Sequence, residues 1–146
     1  MSLLVDDQVL AAHLRNRPVL PRAAAGEDLF TTGLWYVRLC LAVSRRVGGG
    51  RLSGPFAVLP EAQRQSAISA VLTLPPEIGL LSLRELGPRI GQLSQQHEPM
   101  NILTREALAA AVALDATVVL AAGNENPSLL TALELEQLSV SLVATD

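Results

Sequence analysis

The chain has 146 residues, a formal net charge of −3, 49% apolar residues, 17% charged residues and 3% aromatics. That length predicts one domain, residues 1–146, with enough chain to bury a sizeable core. The balance excludes a global basic field for holding nucleic acid, and so few aromatics exclude a platform of stacking rings for single strands.

The apolar surplus predicts that part of the surface is covered by a partner, with a second copy as the first expectation. All the basic residues are arginines; Arg15, Arg17 and Arg22 form one local cluster, and Arg38, Arg45, Arg46 and Arg51 another. Cys40 is the single cysteine, so neither an internal disulfide nor a cysteine zinc cluster can form. Its apolar neighbours predict a small buried side chain. No apolar run reaches membrane-spanning length and the first residues do not resemble a signal peptide, so the expectation is a cytoplasmic protein with no membrane partner.

Leu3, Leu4 and Val5 form an apolar run too short for a buried helix, and Asp6 and Asp7 follow at once. This reads as a buried strand ending in two acids and feeding a helix over 9–14. Ligands of open α/β sheets bind outside the carboxyl ends of the strands, which makes Asp6 a candidate site residue; the competing reading is a helix cap. Arg15 to Pro18 ends the helix, and 18–26 reads as a connection. Glu27 and Asp28 read as acids at the start of a long helix over 29–47. That helix is apolar over much of its surface and is expected to be buried on more than one side. Gly48 to Gly50 stops it, and no Lys-Ser/Thr pair follows to make a phosphate cradle.

Residues 51–60 read as a loop, and Pro60-Glu61 opens another helix that ends before Pro75 and Pro76. Ile78 to Leu83 reads as a second strand, and 84–97 as a weak helix interrupted at Gly87-Pro88. Thr104 is the expected N-cap of a helix over 104–114. Ala116 to Ala121 is the strongest strand by β-branched content. After a loop through Asn124 and Glu125 come a helix over 128–137 and a last strand over 139–143. Strands alternating with helices predict a three-layer α/β/α domain with a short, mainly parallel sheet of about four strands.

The opening LLVDDQ resembles the start of response-regulator receiver domains, which also require a lysine and a mid-chain aspartate. This chain has no lysine and no aspartate between Asp28 and Asp115, so that resemblance stops at the first strand. A broader resemblance is to PIN domains, magnesium-dependent nucleases that include the toxins of many toxin–antitoxin pairs. LLVDDQVLA matches their opening strand, with Asp6 in the acid position. The long helix follows. LTREALAAAVALDATVVLAAGN matches the later helix and strand, with Glu106 where the family's helix acid stands, and SLLTALELEQLSVSLV matches the closing helix and strand. The resemblance implies a PIN-like fold, Mg or Mn as cofactor, an antitoxin-like partner and RNA as substrate.

Two departures stand out. The family's second acid on the long helix is missing: no carboxylate lies between Leu29 and Pro60, and Trp35, Tyr36 and Arg38 occupy the region. The late threonine-x-aspartate pattern is also missing, leaving Asn124 or Glu125 nearby. An arginine in the acid's place would neutralise the pocket and repel a cation. Magnesium takes oxygen ligands in octahedral geometry, and two-metal hydrolysis clamps both the attacking and leaving oxygens.

The resulting site has Asp6 and Glu106 as catalytic residues and Asp6, Glu106, Asn124 and Glu125 as metal ligands. Asp7 is expected to face solvent or cap the helix, since neighbouring strand residues point opposite ways. Glu106 has an equal alternative as a first-turn helix acid. His13 and His97 lack acid partners at triad spacing and read as surface or helix-end residues. Trp35 and Tyr36 read as core or dimer contacts. The missing acids favour a PIN-like binding module with an incomplete site, and the alternative is a Mg-dependent ribonuclease of the toxin type.

Overall fold

A computed structural model describes residues 1–21, 26–44, 50–123 and 125–145. Its centre is a parallel sheet. Strand β1 (Ser2–Val5) lies between β2 (Asp28–Thr31) and β4 (Thr117–Ala121), with β3 (Ile78–Leu80) beyond β2 and β5 (Val140–Val143) beyond β4. All four pairings are parallel, and Leu4 stands level with Phe30 on one side and Val118 on the other.

Side-chain alternation along β1 divides the core in two. Leu3 and Val5 point into a cluster built with α1 (Asp7–Leu14), α2 (Gly33–Ser44), the single turn α3 (Gly54–Ala57) and α4 (Glu61–Leu72). Leu4 points the other way, into a cluster with α5 (Leu83–Ser94), α6 (Ile102–Leu114) and α7 (Pro127–Leu135). Helices therefore cover both faces, as a parallel sheet requires, and the three-layer α/β/α class expected from the sequence holds.

The sheet has five strands among the described residues, not about four. The extra one is β2, whose residues the helical pattern over 29–47 had absorbed. Thr31 fixes it: its hydroxyl donates to the Val5 carbonyl at 2.9 Å. Thr32 then opens the helix by accepting from the Trp35 N–H at 3.1 Å. Glu27 thus precedes a strand and Asp28 opens it, and neither serves a helix dipole.

Helix α2 puts Trp35 into one cluster and Leu39 into the other. It is nevertheless not enclosed, since Val37 and Leu41 remain 49% and 58% exposed. The Tyr36 hydroxyl donates to the Val71 carbonyl at 2.7 Å, tying α2 to α4. Cys40 is half-buried rather than fully enclosed.

Other boundaries differ for local reasons. Residues 54–57 make one helical turn inside the expected loop. Helix α5 runs through Pro88 without a break, started by Ser82, whose hydroxyl accepts from the Glu85 N–H at 3.3 Å. The N-cap of α6 is Asn101, not Thr104; its side chain accepts from the Thr104 N–H at 2.8 Å. Arg22, Arg45, Arg46, Gly48 and Gly49 lie outside the described residues.

Candidate functional site

Strand order decides where a site can form. The chain passes from β1 to β2 on one side and later returns to β4 on the other. Connections therefore diverge at the carboxyl ends of β1 and β4, and such a switch point opens the crevice where α/β sheets bind ligands. A cavity of about 150 Å³ lies there, lined by Asp6, Asp7, Trp35, Arg38, Asn101, Leu103, Thr104, Leu120, Asn126 and Leu129.

Asp6 leaves the end of β1 in extended conformation and caps α1, Oδ1 accepting from the Val9 N–H at 2.8 Å. Its Oδ2 accepts from the Ala121 N–H at 2.9 Å, joining the ends of β1 and β4. The helix-cap reading of this residue is met, and the same side chain lines the cavity. Burial pushes its carboxyl up to about 6, against the N–H groups of Ala121 and Val9, which pull it down; the neighbouring Asp7 charge adds to the rise.

Asp7 does not face solvent. It is the first residue of α1, where strand alternation no longer applies, and it is 2% exposed. Its Oδ2 lies 3.3 Å from Nε of Arg38, whose side chain is 52% exposed. Among the described residues that oxygen accepts no hydrogen bond, so the pair is a charge contact without hydrogen-bond geometry. Burial raises the Asp7 carboxyl above the usual range and the Arg38 charge partly opposes it.

The opposite wall is neutral and already committed. Asn101 caps α6, and Asn126 caps α7 by accepting from the N–H groups of Ser128 and Leu129. Nδ2 of Asn126 also donates to the Thr104 hydroxyl at 2.8 Å, linking the two helices. The helix starts of α1, α6 and α7 thus meet at the cavity, each satisfied by its own cap.

Glu106 turns to a different task. It is fully buried, and its Oε1 accepts from the Leu34 N–H at 2.8 Å. Helix α2 has no acid in its own first turn, so Glu106 supplies that charge from α6. Its Oε2 accepts no hydrogen bond among the described residues. It sits so near the start of α2 that a Cβ on Gly33 would lie 3.2 Å away. Asn124 lies outside the described residues. Glu125 is in the loop after β4, where the N–H groups of Glu125 and Gly123 hold its carboxyl below the usual range.

These residues can be tested against the divalent ion that the sequence resemblance implies. Both oxygens of Asp6 already accept backbone N–H groups, Asp7 faces a guanidinium, and one oxygen of Glu106 caps a helix. Among the described residues no three His, Cys, Asp or Glu side chains come together as a metal-holding group. A hard cation needs several free oxygens, and this donor set does not fit a two-ion centre.

The pairing of Asp7 with Arg38 and the two asparagine caps are the parts that the sequence reading did not assemble. Asn101 before an apolar helix and the Asn126-Pro127 pair were available cap signals. His97, read as a surface or helix-end residue, instead has a buried side chain with Nε2 2.8 Å from Glu136 Oε1. His13 is half-buried in the last turn of α1.

No protein-family model matches the chain, and no curated protein does. Among solved structures, it is similar to a chain in the structure of VapBC-1 from nontypeable Haemophilus influenzae. The identity is 15%, 97% of each chain is covered and the TM-score is 0.46. Among the described residues no helix is long and apolar enough to cross a membrane.

Proposed function

We propose that the chain is a PIN-like domain whose acidic site has lost metal-dependent hydrolysis and which works in the cytoplasm as a protein-binding module. The observation that carries this reading is Arg38 at 3.3 Å from the buried Asp7 in the switch-point cavity. A fixed positive charge there repels a divalent cation and takes up the charge of one of the two acids that line the cavity. The remaining acid, Asp6, spends both oxygens on the backbone. The exposed apolar side chains of α2, Val37 and Leu41, flank Arg38 in sequence and support a protein partner, either a second copy or an antitoxin-like chain.

The alternative is a Mg- or Mn-dependent ribonuclease with Asp6 and Glu106 as catalytic residues and with Asn124 and Glu125 as further ligands. It is favoured by the convergence of Asp6 and Asp7 on one cavity at the switch point. RNA cleavage assays with magnesium or manganese, run on the wild type and on Asp6→Asn, separate the two. The binding-module reading expects no metal-dependent cleavage from either. Cleavage by the wild type that requires metal and is lost in Asp6→Asn would overturn it.

A further inference from the structure

We infer that a second cavity, which Arg15 and Arg51 both line, binds the phosphate group of a small molecule. It has a volume of about 320 Å³ and shares no lining residue with the switch-point cavity. The inference therefore stands apart from the question of metal at Asp6.

The two arginines come from separate clusters in the sequence, and the fold brings them to one place. Gln8, Ala11 and Arg15 fall at i, i+3 and i+7, one stripe of α1 and its C-cap. That stripe faces Arg51 and Pro55, and the small Ala11 between its two long neighbours leaves room. Gly123, just after β4, and Thr145, just after β5, complete the lining. The cavity thus opens outside the carboxyl ends of two strands, where α/β sheets receive ligands.

Both guanidinium groups are oriented by the protein. Arg15 Nε donates to the Ala11 carbonyl at 3.2 Å, and its guanidinium carbon lies over the Phe56 ring, 5.5 Å from the centroid. Phe56 is itself buried at 3% exposure, so the stacking partner is fixed. Stacking uses the face of a guanidinium, whereas its N–H donors lie in the plane. Arg51 Nη1 donates to the Gly123 carbonyl at 3.2 Å, which turns an exposed side chain toward the cavity. A guanidinium carries several N–H donors, so each arginine can hold its protein partners and still bond a ligand.

The donor set favours phosphate over carboxylate. A carboxylate lies in one plane and is satisfied by a single arginine fork. A phosphate group directs its oxygens to several sides, so guanidinium groups from two elements, the Gln8 amide and the Thr145 hydroxyl can all meet it. Its charge of roughly −1.5 to −2 at neutral pH matches two arginines. The volume is more than a bare ion needs and lies at the lower end of small-molecule pockets, about 300–1,000 Å³.

The test follows amide NMR signals during titration with inorganic phosphate, ribose 5-phosphate and ribose, with ionic strength held constant by sodium chloride. The expected result is saturable shifts of the Gly123 and Thr145 amides by the two phosphates, with a dissociation constant near or below about 1 mM for ribose 5-phosphate, and none by ribose. Arg51→Ala and Arg15→Gln each weaken binding at least about tenfold, as loss of a charge-assisted hydrogen bond requires. Arg51 is exposed, so its variant keeps the test in force if Arg15→Gln does not fold. Arg89→Ala removes the same charge from exposed α5, on the other face of the sheet, and leaves binding unchanged. Tighter binding of ribose 5-phosphate than of inorganic phosphate upholds the inference as stated. Equal affinity for the two overturns the small molecule and assigns the cavity to the free ion. Shifts that do not saturate, full binding in a folded Arg51→Ala, or equal weakening by Arg89→Ala overturns the phosphate site.

Discussion

Asp6 holds a helix start and a strand end with one carboxylate, and does so while buried. Its folded pKa of about 6 lies above the ordinary 3.8, so the folded chain retains a proton that the unfolded chain releases. The contribution of Asp6 to stability is therefore fully present below the unfolded value, declines as pH rises through the folded value of about 6, and levels off above it. Two pKa units correspond to roughly 3 kcal/mol as an upper figure, and the raised Asp7 carboxyl acts in the same direction. Urea unfolding across that window should show stability falling with pH, with a shallower slope in Asp6→Asn. A flat profile in the wild type would contradict the burial argument.

Glu106 allows a sharper comparison. Glu106→Ala leaves the Leu34 N–H without its acceptor and opens a void, at a cost of about 2–4 kcal/mol. Glu106→Gln keeps an acceptor oxygen and should cost no more than about 1 kcal/mol by the same measurement. Equal losses in the two variants would show that Glu106 is not chiefly a helix cap.

At the level of elements, the contact between β2 and β3 is sensitive to a single atom. Phe30 stands level with Gly79 across the two strands, and a Cβ on Gly79 would run into the Phe30 ring. Gly79→Ala must displace that ring and should destabilise the domain by about 1–3 kcal/mol in denaturant unfolding. An unchanged midpoint would mean that the ring moves freely.

Strand β2 also shows where sequence reasoning stops. Strands β1 and β4 are legible as apolar runs with abrupt ends. The four residues of β2 blend into the helical period that follows, and the break is marked only by Thr31, Thr32 and Gly33. The capping residues Ser82, Asn101 and Asn126 carried local signals. The bonds that build the site did not. Asp6 meets Ala121 across 115 positions, and Glu106 meets Leu34 across 72. Such pairings depend on strand order. Glu106 was legible as a helix-start acid, but the helix it serves is α2, not its own. Arg38 was legible as a charge in the wrong place for a metal, and Asp7 as its partner was hidden by an alternation rule that ends with the strand.

Taken whole, the molecule is a doubly covered parallel sheet whose switch point offers a cavity and whose own arginine occupies the charge opposite Asp7. With a net charge of −3, the chain has no global basic field to concentrate a polyanion. The most direct measurement is a calorimetric titration of Mn²⁺ into the wild-type protein at neutral pH. The expected result is no saturable heat up to millimolar Mn²⁺, because Arg38 already neutralises Asp7 and Asp6 is bonded to the backbone. Stoichiometric binding at micromolar Mn²⁺ would contradict the assignment of Arg38 as the cation of the site.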